Sequence, residues 1–155
     1  MKQPDFGLWF CEIKKRKIKY QVRFDENLAH DLVYLSDYLH DAEIVIKNIS
    51  FSRKRLIVPM IRDNWELLST TGNMDYTSSR LTIFPVEKFY FLFPYSYIEN
   101  GVIKEEISFD KIVVDNNYYD NDQESFDIIL LNRATGFKLI VNSANKEPKI
   151  RMEDQ

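Results

Sequence analysis

The chain has 155 residues, 45% of them hydrophobic and 29% charged, with a formal net charge of −3. That balance excludes wholesale disorder and supplies apolar material for the core of one domain. No apolar run approaches the roughly 18 to 20 residues that a membrane-spanning helix needs, and the slight acidity argues against a surface dominated by polyanion binding.

Aromatic content points to the fold class. Eleven Phe, nine Tyr and two Trp stand against four Gly and five Pro, and rings suit the pleated, half-buried surface of a sheet.

Residues 1–7 are polar and lack the charged-then-apolar plan of a secretory signal. Residues 8–13 and 18–24 read as strands joined at the basic turn 14–17, because Ile18, Tyr20, Val22 and Phe24 alternate with Lys19, Gln21 and Arg23. The only cysteine, Cys11, falls in the first of these strands. It has no internal disulfide partner, so a reducing cytoplasm is the expected compartment, and no helix start or glycine turn marks it as a nucleophile.

Asp25 can cap the next element, where the period changes. Leu28, Leu32, Leu35 and Leu39 fall within a sector about 60° wide on a helical wheel, with His30, Tyr34, Asp37 and Asp41 opposite. This predicts one main helix over 26–40, about 22 Å long. Such a helix can carry the chain back across a sheet, so that the strand from Ile44 runs parallel to the strand from Ile18.

The remainder reads as sheet. Ile49 and Phe51 are out of phase with Ile44 and Ile46, which predicts a bulge near Lys47 and Asn48. Residues 52–54 form a turn, 56–61 an apolar strand in which Pro59 favours an edge, and 64–79 an irregular stretch. Further strands are expected at 81–86, 89–93, 107–114, 126–131 and 137–141, the last two joined by a hairpin loop at 132–136. Residues 145–155 are expected to fray. The expected fold is α+β: a predominantly antiparallel, twisted sheet of about eight or nine strands, partly barrel- or sandwich-like, with one helix in a single domain over 1–155.

Motifs that suggest chemistry are incomplete. His30-Asp31 and His40-Asp41 invite comparison with metal-dependent phosphohydrolases, but no third histidine exists. On one helix the two imidazoles would also point about 80° apart. The oxygen-rich stretch 115–124 lacks the glycine and glutamate of a calcium loop: counting from Asp115, those places hold Asp120 and Phe126. Basic clusters at 14–19 and 53–55 have a nucleic-acid flavour, yet the topology above sets them at opposite ends of a sheet, where charged tips guard against aggregation. The expectation is no catalytic residue, no metal, no cofactor and no nucleic-acid partner.

Seven aromatics crowd into 84–97: Phe84, Phe89, Tyr90, Phe91, Phe93, Tyr95 and Tyr97. Because Tyr90, Phe91, Leu92 and Phe93 are consecutive, strand alternation forces some of them off the core face, where they are either covered by the helix or exposed as a contact surface.

The segment Tyr38-Leu39-His40-Asp41-Ala42-Glu43-Ile44 resembles a loose group of small bacterial domains. These carry Leu or an aromatic, then His-Asp-Ala or a similar triplet, then an apolar residue that opens a strand. Arg80-Leu81-Thr82-Ile83-Phe84-Pro85-Val86 is similar to the group's second element, of the form L-x-I-x-x-V. Some members are grouped with the immunity proteins that accompany polymorphic bacterial toxins. The likeness spans 28–141 and departs from the group in the hairpin 8–24. It implies a bacterial protein that neutralises by contact, and it carries over no catalytic residue. On physical grounds His40 and Asp41 are expected to form a structural joint: Asp41 accepting backbone donors, His40 bonding a carbonyl at the helix C-terminus.

The leading expectation is a non-catalytic protein-interaction module. Its partner surface would draw on Tyr90, Phe91, Phe93 and Tyr95, with Asp115, Asp120 and Asp122 steering a basic partner, and a homodimer is a further form of contact. Two alternatives are a small-ligand-binding β domain with a pocket lined by Trp9, Tyr20 and Phe91, and an enzyme in which His30 or His40 meets carboxylates in a cleft.

Overall fold

The computed structural model describes residues 18–63, 76–93, 98–99, 102–103, 106–118, 124–144 and 148–155. The first strand, β1 (Lys19–Gln21), is shorter than its alternating pattern, and Val22 adds one further bond to the Ile150 carbonyl at 3.0 Å. Helix α1 (Leu28–Leu39) follows. It starts later than residue 26 because the Asp25 carboxylate takes the Asn27 N–H at 2.7 Å in a local turn, holding that stretch out of the helix. It stops before His40, and Asp41 then turns into the left-handed region at φ 62°.

After α1 come β2 (Ala42–Val45), a single 3₁₀ turn (Ile46–Asn48), β3 (Ser50–Ser52) and β4 (Arg55–Asp63). The expected bulge is this 3₁₀ turn, which shifts the apolar phase as a bulge would. β4 pairs with β3 at one end and β2 at the other, and Pro59 stands opposite the interruption between those two ladders. A residue without an N–H is tolerated there although β4 lies inside the sheet.

The remaining strands are β5 (Tyr76–Phe84), β6 (Lys88–Leu92), β7 (Ile98–Glu99), β8 (Val102–Ile103), β9 (Glu106–Phe109), β10 (Lys111–Tyr118), β11 (Glu124–Leu131), β12 (Lys138–Ser143) and β13 (Lys149–Asp154). Two open sheets contain eleven of the thirteen strands among the described residues. The larger runs β1-β13-β5-β4-β2-β9 with β3 beside β4, and the smaller runs β10-β11-β12-β6; β7 and β8 form a separate ribbon. Every ladder is antiparallel. Four antiparallel steps separate β1 from β2, so the two run in the same sense, as the crossover helix requires, with three strands between them.

Two expectations change, and a third falls outside the described residues. The strand count exceeds eight or nine, partly because 107–114 is two strands, broken at Asp110 and belonging to different sheets. The strand expected at 8–13 and the turn expected at 14–17 lie outside the described residues. The tail expected to fray contains β13, which sits between β1 and β5 with Ile150 and Met152 fully buried. Its alternation of Ile150, Met152 and Asp154 on one face holds it in place despite its polar composition.

The core lies between the two inner faces. Leu56, Val58, Leu81 and Ile83 of the large sheet join Ile128, Leu130, Leu139 and Val141 of the small one, all at 0% exposure. Helix α1 packs against β4 and β10, one strand from each sheet, with Leu35 and Leu39 buried. The Ser36 hydroxyl donates to the Leu32 carbonyl at 2.7 Å and accepts from the Ile112 N–H at 3.1 Å. One side chain thereby satisfies a donor on β10, an outer strand of the small sheet.

Candidate functional site

Two buried carboxylates organise the inner surface, and neither was anticipated. Asp31 on α1 is fully buried and is held by Arg23 Nε, Arg23 Nη2, the Arg23 N–H and the Tyr20 hydroxyl, each at 2.9 Å. The Arg23 guanidinium outweighs the cost of burial and lowers the Asp31 carboxyl to about 2. Burial and the bond to Asp31 together push the Tyr20 hydroxyl well above its usual range. Asp154 takes the Arg62 guanidinium, the Ser79 hydroxyl and the Ile18 N–H. Burial alone would raise its pKa; these donors lower it instead. Through its hydroxyl Tyr20 thus ties β1 to the helix.

His40 and Asp41 form an exposed pair, Nδ1 to Oδ2 at 3.1 Å. The backbone of this turn is tied to the sheet, the Asp41 N–H donating to the Phe109 carbonyl at 3.1 Å. Asp37 and Asp63 lie near enough to feel His40. Burial raises both carboxyls, Asp41 adds to the rise at Asp63, and His40 opposes it at each. His30 packs edge-on against Tyr34 with ring centroids 4.7 Å apart, a different neighbourhood from that of His40. Among the described residues no group of three or more His, Cys, Asp or Glu could hold a metal ion.

The expected partner surface is divided by the pleat. Phe91 and Phe93 turn inward with Phe89; Phe91 stacks on Phe93 at 5.5 Å and leans on buried Phe137 at 6.2 Å. Their place in a surface patch is therefore corrected: β6 alternates with period two, and the odd positions face the core. Tyr90 and Leu92 point outward, 46% and 47% exposed. Tyr95, Asp120 and Asp122 lie outside the described residues.

Strand register extends the outward positions into three rows across the small sheet. The middle row is Val113, Ile129, Ile140 and Tyr90. On one side run Lys111, Leu131, Lys138 and Leu92; on the other run Asp115, Asp127, Asn142 and Lys88. An apolar band is thus bordered by Lys111 and Lys138 at one margin and by Asp115, Asp127 and Lys88 at the other, so the two margins differ in the sign of their net charge. Asp115 lies on this face within β10, and its companions are Asp127 and the apolar row rather than the inward rings. Ile129 and Ile140 are half-buried and escaped notice in the sequence because each belongs to an apolar run whose inward and outward members look alike.

Comparison with protein families, with curated proteins and with solved structures finds no match for the chain.

Proposed function

We propose that the protein is a non-catalytic interaction module that works through the outer face of its small sheet, and that this face pairs with a second copy of the same chain. The supporting observation is the apolar row Val113–Ile129–Ile140–Tyr90 between margins of opposite charge. A two-fold axis along that row lays Lys111 of one copy over Asp115 of the other and Lys138 over Asn142 beside Asp127, which is the self-complementarity an isologous contact requires.

Size sets the strength. Four strands about 4.8 Å apart and five residues of about 3.3 Å each give a flat face of only a few hundred Å², at the low end for specific association. The expected dimer is weak, with Kd on the order of 10 to 100 µM. Sedimentation equilibrium across that range checks it: the native chain should shift from monomer to dimer, and Ile140→Asp should stay monomeric with unchanged circular dichroism. A chain that stays monomeric throughout the range removes the proposal.

A further inference from the structure

The opposite side of the molecule carries a second, chemically different surface. Alternation on β4, β5 and β13 turns Arg55 and Ile57, Arg80, Thr82 and Phe84, and Lys149, Arg151 and Glu153 to the outer face of the large sheet, around a concavity of about 330 Å³. Four cations and one carboxylate give this hollow a formal +3 on a chain of net −3.

The single carboxylate is shared. Glu153 meets Arg80 Nη2 at 3.0 Å and Arg151 Nη1 at 3.4 Å, while Arg151 also reaches the Gln21 side-chain oxygen at 3.1 Å. These bonds, Arg80 foremost, lower the Glu153 carboxyl, so it stays ionised and holds both guanidiniums in position. The Arg55 guanidinium lies over the Phe84 ring, 5.6 Å from its centroid. Lys149 stands directly across the ladder from Phe84. Among the described residues, neither Arg55 nor Lys149 meets a carboxylate. Cations gathered on neighbouring strands repel one another and weaken a sheet, so the hollow is a surface whose charge an incoming anion would relieve.

We infer that this hollow is a binding site for a small organic ligand carrying two or more phosphate groups. Guanidinium forks match phosphate oxygens in pairs, and an ammonium adds a mobile point charge. A net +3 calls for more than one negative charge, which a single carboxylate does not supply. Phe84 and Ile57 offer an apolar floor to the carbon skeleton, and the volume is at the small-ligand end of the usual range. The site faces away from the surface proposed for self-association, so each stands or falls without the other.

Isothermal titration with ADP, pyrophosphate and adenosine tests this at about 50 mM salt, where phosphate contacts are weakly screened. ADP and pyrophosphate should bind saturably and adenosine should not. Lys149→Glu and Arg55→Glu should each weaken ADP by about tenfold or more, with the thermal midpoint of the unligated protein unchanged or higher as repulsion falls. Absence of saturable ADP and pyrophosphate binding overturns the inference, as does equal ADP affinity in Lys149→Glu. Binding of an oligothymidylate more tightly than ADP also overturns it, by making the surface one for nucleic acid.

Discussion

Asp154 of β13 closes on Arg62 of β4 across the intervening strand β5, Nη2 to Oδ2 at 2.7 Å and Nε to Oδ1 at 2.9 Å, with both side chains almost fully buried. The guanidinium also lies 5.7 Å from the centre of the Tyr38 ring, so the pair joins three strands and the helix. Removing one partner strands a charge in the interior, which costs about 3 to 5 kcal/mol. Arg62→Met should lower stability by that amount in urea unfolding. The pH dependence should invert as well. In the native chain the Asp154 pKa is held low, so its contribution is present above the ordinary carboxylate range and fades as pH falls. Without Arg62, desolvation raises that pKa, and the contribution fades as pH rises.

Asp31 makes a second test with a defined window. Its carboxyl falls from 3.8 to about 2 in the folded state, so between those values the unfolded chain binds more protons and stability climbs with pH. Because Arg23 is 42% exposed, solvent screening trims the gain to about 1 to 2 kcal/mol. Asp31→Asn should lose this amount at pH 7 and should flatten the stability profile between about pH 2 and pH 4.

Much of this was legible in the sequence by phase alone. Asp31 follows Leu28 by three residues and precedes Leu35 by four, so it belongs to the buried stripe; its charge disguised a position that the spacing makes internal. Arg62 continues the inward series Leu56, Val58, Met60, and Asp154 continues Ile150 and Met152. The antiparallel class, the single helix and the loop at 132–136 also follow from local pattern. At that loop the Asn132 side chain accepts the Ala134 and Thr135 N–H groups, and Gly136 turns to φ 82°. Strand order was out of reach, because the partner of β13 is chosen by contacts more than sixty residues away. The rows on the outer faces were hidden for the same reason: they exist only once register is known.

Ser36 concentrates an unusual demand on one hydroxyl. It is the acceptor for the Ile112 N–H on β10 and packs at the junction of helix and small sheet. Ser36→Ala should cost about 1 to 2 kcal/mol by leaving a part-buried donor unpaired. Hydrogen exchange should show the Ile112 amide losing protection more than its neighbours on β10. Uniform protection along the strand would mean that water replaces the hydroxyl without loss.

The turn Ser52–Arg55 carries Arg53 and Lys54 at φ 51° and 63°, a left-handed pair that ordinary side chains adopt at about 1 kcal/mol each. Such two-residue hairpin turns favour Asn-Gly. The double change Arg53→Asn, Lys54→Gly should therefore raise the thermal midpoint, although it deletes the exposed bond from Lys54 to Glu87 at 3.0 Å, which is worth little in water.

Charge reversal at the margins of the small sheet separates self-complementary pairing from mere apolar stickiness. In the proposed dimer Lys111 of one copy faces Asp115 of the other, so Lys111→Asp places like charges together and should weaken association by about 1 kcal/mol or more per contact. Asp115→Lys should do the same from the other side. Combining both changes restores opposite charges across the interface with their signs exchanged, so the double variant should recover much of the native affinity in sedimentation equilibrium. Purely additive losses would mean that the margins do not meet, and the two-fold arrangement would have to be abandoned even if the apolar row still drives association.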